Sequence, residues 1–334
     1  DLAYAIFTSG STGVPKGVMV KHGNLCSFAQ NFKEGFGFDK VTKFAATTSF
    51  TFDISVIELL GVLSQGITID LFSSEILQDS ELIADRIKNE GIDGLQVTPS
   101  RCSQLILVSD DFSDKLAVLL VGGEAVNAEL FNTLKTFKPK VTQVYGPTET
   151  TIWSTSMEIN ETAVLNIGKP LINEGIYILN DGLQLVPKGV VGEICIGGKG
   201  VSGGYIKRED LTKELFINNP YLEEDVIYRT GDLGKWNDTG EIEFLGRKDD
   251  QVKIRGYRVE LQEVSNVLLL KDGIIEAHVI AKSLGGVDKE LVAYLVAEQN
   301  QDIIELKNHL RSKLPEYMVP GYYVELEKFP LNRS

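Results

Sequence analysis

Cysteine is scarce: Cys26, Cys102 and Cys195 are the only three, they lie far apart, and none forms a C-x-x-C pair. That argues against a disulfide framework and a zinc site, and it fits a reducing compartment. A cytoplasmic location is therefore expected. The three histidines, His22, His278 and His309, have no metal-ligand spacing. No apolar run approaches the ~20 residues that a membrane helix needs, and no leader with a charged start and apolar middle is visible. Basic residues are outnumbered, 33 Lys and Arg against 47 Asp and Glu, for a formal net charge of −14. Such a surface disfavours nonspecific binding to nucleic acid but leaves room for a locally basic pocket.

What is present is ample: 334 residues, 43% hydrophobic and 24% charged, enough for two or more domains. From the start to about residue 163, apolar strands alternate with helical segments, which predicts a layered α/β sheet. Strands are expected at 2–7, 42–48 and 66–72, and strands running into turns or loops at 94–100, 115–124 and 141–150, those at 2–7 and 115–124 buried. Helices are expected over 22–35, 55–64, 80–90, 101–108 and 127–137. In such sheets ligands bind beyond the carboxyl ends of the strands. The polar loops at 8–17, 49–53, 98–100, 122–124 and 145–149 would then converge on one crevice. From 164 to 248, short β-rich runs separated by Gly, Asn, Asp and Pro predict a barrel-like subdomain. A charged stretch precedes a small α+β domain over 249–334, with helices at 259–270 and 302–313.

Four stretches carry candidate chemistry. The first is FTSGSTGVPKG at 7–17. A Walker loop needs Gly-Lys followed by a hydroxyl residue, and here Gly17 follows Lys16, so the spacing does not match. Gly10 and Gly13 can still turn backbone N–H groups toward an anion, with Ser9, Ser11, Thr12 and Lys16 adding donors and charge. A strand running straight into the loop and the rigid Pro15–Lys16 pair favour a phosphate site over a linker. The second is VYGPTETT, where Glu149 and neighbouring hydroxyls suit Mg²⁺ but would equally suit a capping box opening a helix. The third is YRTGDLG, whose Asp232 could bind the two hydroxyls of a ribose or simply occupy a turn. The fourth, GRKDDQVKIRGYRVELQEV, has interleaved acids that disfavour a nucleic-acid patch.

Together with FTFDIS, GEICIGGKGVSGGYIKR and LPEYMVP, these stretches occur in the order found in adenylation domains of nonribosomal peptide synthetases, which the chain resembles from residue 2 to 334. Those domains belong to the adenylate-forming, AMP-binding superfamily with acyl-CoA synthetases and luciferases. The resemblance implies a large N-terminal part and a small mobile C-terminal lid. It implies that an amino acid reacts with ATP to give aminoacyl-AMP, which a phosphopantetheine thiol on a carrier protein then captures as a thioester.

It also implies roles. The loop of Thr8, Ser9, Gly10, Ser11, Thr12, Gly13 and Lys16 would embrace the pyrophosphate portion of ATP. Glu149 would hold Mg²⁺ and Thr148 would touch the α-phosphate. Gly123, Glu124 and Tyr145 would line the adenine site, and Asp232 and Arg247 would bind ribose. Asp249 would be the hinge of the lid, and Gly256 would face the thiol tunnel. Asp53 would pair with the substrate's α-ammonium, a contact that fatty-acid or aryl-acid ligases do not need. The pocket would be Asp53, Ile54, Ile57, Gln96, Leu120, Gly122, Val144, Ile152 and Trp153. Its bulky walls and lack of a second charge suggest glycine as the substrate, with alanine the close competitor, since one methyl discriminates by only ~1–3 kcal/mol.

Family members carry more sequence before the phosphate loop and a catalytic lysine just past Ser334, so the 334 residues alone are expected to adenylate weakly. A standalone amino-acid–carrier ligase, another acyl-activating ligase and a catalytically incompetent fragment are the alternatives. Expected partners are a small amino acid, a peptidyl carrier protein and neighbouring synthetase domains, with no nucleic acid and no membrane.

Overall fold

The computed structural model describes residues 1–10, 15–33, 35–249, 251–254, 256–283, 289–299 and 301–330. They form two compact units, one of Asp1–Phe7 with Gly17–Lys248, the other of Thr8–Lys16 with Asp249–Ser334.

The larger unit is built on a seven-stranded sheet. Its strands lie in the order Thr68–Leu71, Lys43–Ala46, Gly94–Val97, Val118–Gly122, Lys140–Tyr145, Thr155–Glu158 and Lys169–Pro170. The first five are parallel and the last two antiparallel to their neighbours. The uninterrupted apolar run VLLVG is buried throughout, as a central parallel strand covered on both faces must be. Period-two alternation divides it: Leu119 and Val121 pack with Ile83, Ile87, Cys102 and Leu134 on one face. Val118 and Leu120 pack with Phe44, Ile57 and Trp153 on the other. Helices begin where side chains take up their free N–H groups. Asp79 caps Ser80–Asn89, Thr98 caps Pro99–Val108 with Pro99 in the first turn, and Asn127 caps Ala128–Leu134.

Two local expectations need correction, and a third element forms as expected but with an unexpected turn. The first strand, Leu2–Thr8, is not buried and not in this sheet. It pairs with Lys16–Lys21 in a separate two-stranded sheet, which leaves Leu2 50% and Phe7 64% exposed. The helix expected over 22–35 covers only His22–Ala29. Beyond it the chain turns, with Gly37 at φ +78°, so that Phe28, Phe32, Phe36 and Phe38 meet in one cluster. Phe32 and Phe38 stack at 5.3 Å, and Phe28 meets Phe32 edge-on at 5.5 Å. Such pairs add ~0.5–1.5 kcal/mol each beyond the area they bury. Finally, the helix after Asp53 runs through Ile54–Val56, Ile57–Gly61 and Val62–Ser64, and its middle turn is a π-helix, with Val62 N–H donating to the Ile57 carbonyl.

The β-rich part of the unit is an antiparallel half-barrel of five strands. Glu174–Leu179, Gly192–Gly198 and Val226–Trp236 lie side by side. The long third strand pairs with Phe216–Asn218 along one half and Ile242–Arg247 along the other. Backbone bonds from Ile167 N to Ile242 O (2.8 Å) and Ile242 N to Gly168 O (2.9 Å) tie it to the strand side of the first sheet.

In the smaller unit, Gln251–Ile254 and Tyr257–Glu260 form a hairpin that leads into helix Leu261–Leu269. A three-stranded sheet follows, with Ile274–Ser283 antiparallel and Tyr322–Glu325 parallel to the central Lys289–Ala297. Helix Ile303–Arg311 completes a core of Val264, Leu268, Val279, Leu291, Leu295, Leu306 and Leu310. Among the described residues no helix is long and apolar enough to cross a membrane.

Candidate active site

In the seven-stranded sheet the chain order reverses at Lys43–Ala46, which has Thr68–Leu71 on one side and Gly94–Val97 on the other. That is a topological switch point, the place where open α/β sheets bind ligands beyond their carboxyl ends. The loops that leave this edge carry Asp53, Thr98, Gly123, Glu124, Thr148 and Glu149. The loop at 8–17 does not leave it, because its strand belongs to the separate two-stranded sheet.

The best-defined polar group is Tyr145, Asp232 and Arg247. Asp232 lies inside the strand Val226–Trp236, opposite Arg247, so the simple turn reading is overturned. The residue before it, Gly231, has φ +74°, and the register shifts just after it. Arg247 Nη1 donates to Asp232 Oδ1 at 2.6 Å and to the Thr230 carbonyl at 3.0 Å. The Tyr145 hydroxyl donates to Asp232 Oδ2 at 2.5 Å. Burial first, then the Asp232 charge, push this hydroxyl well above the ordinary tyrosine value, so it stays a proton donor. Each carboxylate oxygen keeps a further lone pair, so the oriented Asp232 can accept from a ligand diol.

Glu149 sits in a 3₁₀ turn, Thr148–Thr150, rather than opening the helix that a capping box would imply. It is fully buried, and its Oε1 accepts the Tyr205 hydroxyl at 2.7 Å. After this turn Thr151 and Ile152 both adopt positive φ, 62° and 74°. For β-branched residues that costs on the order of 1–3 kcal/mol each and persists only where surroundings enforce it. Here Thr151 Oγ1 donates to the Gly200 carbonyl at 2.6 Å, and Ser154 N donates to the Tyr145 carbonyl at 2.8 Å. The strained step turns Ile152 and Trp153 inward.

There they meet the other pocket positions. Ile57, Leu120, Val144, Ile152 and Trp153 belong to one buried cluster, with Ile54 packed against it. Gln96 Oε1 accepts the Trp153 indole N–H at 3.1 Å. Gly122 has no room for a side chain, because a Cβ there would stand 2.5 Å from Val144 Cγ2 and 2.9 Å from Trp153 Cη2. Asp53 is buried at the start of the helix, and its charge, after burial itself, raises the Tyr4 hydroxyl above its ordinary value.

The remaining expected residues divide between the same sheet edge and the smaller unit. The Glu124 carboxylate accepts from Ser100 N and Oγ at 3.0 and 2.5 Å, which fixes the start of Pro99–Val108. Gly123 holds φ +89° beside it. Thr8, Ser9, Gly10 and Lys16 group with the smaller unit, where Ser9 Oγ donates to the Arg258 carbonyl at 2.8 Å. Ser11, Thr12 and Gly13 lie outside the described residues. Asp249 opens the smaller unit and accepts from Gln251 N, and Gly256 follows the Gln251–Ile254 strand with φ +84°.

Sequence reasoning missed Tyr205 and Glu58. Tyr205 lay in the quoted GGYIKR stretch. The signal for Glu58 was an acid inside the apolar run ISVIELLGVL. Among the described residues no three or more of His, Cys, Asp and Glu cluster to hold a metal ion. A single buried carboxylate is nonetheless what Mg²⁺ uses when phosphate oxygens and water complete its shell, so Glu149 fits that ion.

The larger unit thus combines a parallel sheet with a polar switch point, an aspartate held by Tyr145 and Arg247, and the buried Glu149, the layout of an α/β enzyme that binds its ligand beyond the strand ends. The sequence matches the AMP-binding enzyme family over residues 1–206 and the AMP-binding enzyme C-terminal domain over residues 263–334, so the chain belongs to the AMP-binding enzymes. Within that family it is an adenylation domain of the nonribosomal peptide synthetase kind. It is 41% identical over 332 residues to the dimodular nonribosomal peptide synthase of Bacillus subtilis (strain 168), which covers 98% of the chain and 14% of that protein. It superposes with a TM-score of 0.69 and 37% identity on a four-domain nonribosomal peptide synthetase bound to AMP and glycine, over 99% of the chain and 25% of that one. A holo protein with adenylation and PCP domains, bound to a vinylsulfonamide inhibitor, matches at TM-score 0.88 and 26% identity, over 99% of the chain and 58% of its own. The chain thus spans a small share of the large synthetases it resembles.

Proposed function

We propose that this chain activates a small amino acid, glycine foremost, as aminoacyl-AMP and delivers it to the phosphopantetheine thiol of a carrier protein. The observation that carries the reading is Asp53: a buried carboxylate at the switch point, backed by apolar walls and by a Gly122 that cannot be enlarged. A carboxylate there suits an α-ammonium group, and the crowded walls suit a short side chain. Two comparisons support it: one similar structure holds AMP and glycine, and another joins an adenylation domain to a PCP domain.

In this reading Asp232, held by Tyr145 and Arg247, takes the ribose hydroxyls. Gly123 and Glu124 lie along the adenine. Thr148 meets the α-phosphate, and the Thr8–Lys16 loop takes the departing pyrophosphate. Glu149 would hold Mg²⁺, which supplies charge neutralisation for the phosphates. The pocket residues orient the substrate carboxylate for attack and exclude larger side chains. Asp249 as hinge and Gly256 at the thiol path complete the assignment, with neighbouring synthetase domains as partners.

The test is amino-acid-dependent ATP–pyrophosphate exchange by the full-length protein across the proteinogenic amino acids. Glycine should give the highest rate and alanine the next. Leucine or phenylalanine ahead of glycine would overturn the pocket assignment, and exchange with no amino acid would overturn the reaction class.

A further inference from the structure

Glu58 is fully buried in the π turn Ile57–Gly61 and takes no part in the roles above. Its Oε2 accepts the backbone N–H groups of Thr47 and Thr48, both at 2.8 Å, and its Oε1 accepts the Thr48 hydroxyl at 2.7 Å. We infer that Glu58 is a positioning residue for the amino-acid site, holding the start of the Thr47–Asp53 turn against the helix that Asp53 opens, so that Asp53 meets the substrate ammonium in one place. This rests on the amino-acid reading of the site.

The geometry argues as follows. Thr47 and Thr48 directly follow the switch-point strand Lys43–Ala46, and Asp53 ends the turn they begin. Glu58 lies in the helix that Asp53 starts, so its three bonds close the chain into a ring of twelve residues, Thr47 to Glu58. Within that ring Phe50 is exposed, the Ser49 and Thr51 hydroxyls bond to each other at 2.9 Å, and the Phe52 N–H donates to the Ser49 carbonyl at 3.0 Å. The clamp thus ties the turn that carries Asp53 to the helix that follows it. The Thr47 hydroxyl in turn donates to the Gln96 carbonyl at 3.5 Å, and Gln96 Oε1 accepts the Trp153 indole N–H at 3.1 Å. The same network thus touches the acid end and the aromatic wall of the pocket.

A charge in this place is costly. Burial raises the Glu58 carboxyl to about 7, against hydrogen bonds from Thr48 and Thr47 that lower it. An apolar residue would fill the helix face without that cost but would strand two buried N–H groups. A π turn adds one residue to a helix and recurs at functional sites. Here it seats the acid under the turn that carries Asp53.

The experiment is pyrophosphate exchange by the full-length protein with Glu58→Ala, Glu58→Gln and Thr48→Val, using the amino acid the unmodified protein prefers. Glu58→Ala should raise KM for that amino acid about tenfold while KM for ATP and kcat stay within about twofold. Glu58→Gln keeps an acceptor for both N–H groups and an amide that can donate to the Thr48 hydroxyl, so it should restore KM to within about threefold. A folded Glu58→Ala protein with unchanged amino-acid KM overturns the inference. So does a loss that falls equally on kcat, ATP and the folded fraction without rescue by glutamine. If Glu58→Ala does not fold, Thr48→Val decides: amino-acid KM raised about threefold supports the clamp, and no change overturns it. An unmodified protein with no amino-acid-dependent exchange would remove the parent reading and this inference together. A protein that exchanges normally but ignores all three substitutions removes the inference alone.

Discussion

The Tyr145 hydroxyl reaches Asp232 Oδ2 at 2.5 Å across 87 positions of sequence, joining the last parallel strand of the main sheet to the long strand of the half-barrel. The bond does two things. It fixes the carboxylate from the side opposite Arg247, and it satisfies a buried phenol.

Tyr145→Phe tests the first role. With one donor gone, Asp232 keeps Arg247 alone, and the loss of a buried hydrogen bond to a charged group costs about 1.5–3 kcal/mol. KM for ATP should rise about five- to tenfold with the amino-acid KM unchanged, measured by pyrophosphate exchange at varied ATP. An unaltered ATP response would show that the phenol does not position the carboxylate proposed to take the ribose hydroxyls.

Gly122→Ala tests how full the pocket is. The added carbon would stand 2.5 Å from Val144 Cγ2 and 2.7 Å from the Val144 carbonyl oxygen. Overpacking of this kind costs ~1–3 kcal/mol and displaces neighbours. The thermal midpoint should fall, and exchange with alanine should suffer more than exchange with glycine. A variant as stable as the parent would mean that the strand can shift away from Val144.

Two desolvated acids, Glu58 fully buried and Glu174 half-buried, make stability depend on pH in an unusual direction. Burial raises Glu58 from 4.5 to about 7 and Glu174 from 4.5 to about 8, the latter opposed by a Gly200 backbone bond and helped by the Asp225 charge. Each native carboxyl holds its proton at pH values where the unfolded chain has released it. Their contribution is therefore fully present below pH 4.5 and is lost as pH rises toward about 7 and 8. The slope is at most about 1.4 kcal/mol per pH unit for each group. Urea midpoints of the parent protein minus those of Glu174→Gln should decline between pH 5 and 8. A difference that rises with pH would contradict the burial of a neutral Glu174.

Much of the fold was legible because parallel strands and their capped helices are local. The apolar run KLAVLLVGGE reads as a buried strand and is one, and the helices expected over 80–90, 101–108 and 127–137 form within a few residues of those bounds. The errors arose where distant packing decided. The mixed segment 22–35 reads as one helix, yet the helix ends at Ala29 and the following turns bring Phe32, Phe36 and Phe38 together with Phe28. Leu2–Thr8 had the composition of a core strand, and only its pairing with Lys16–Lys21 revealed its exposure. Of the site, the chemistry-bearing side chains were visible as motifs. Their couplings were not, since nothing near Tyr145 points to Asp232 and nothing near Glu124 points to Ser100.

The π turn at Ile57–Gly61 makes chain length, not only composition, part of the recognition apparatus. Each residue of a helix advances its side chain by about 100°, so deleting one residue between Asp53 and Glu58 would swing the acid out of reach of Thr47 and Thr48 while leaving a regular helix behind. Exchanging pocket side chains between homologous domains one position at a time would leave that register untouched. Recombining at a crossover inside 47–62 would not, unless both parents count the same number of residues there. Domain chimeras built from this chain should therefore inherit that segment from a single parent.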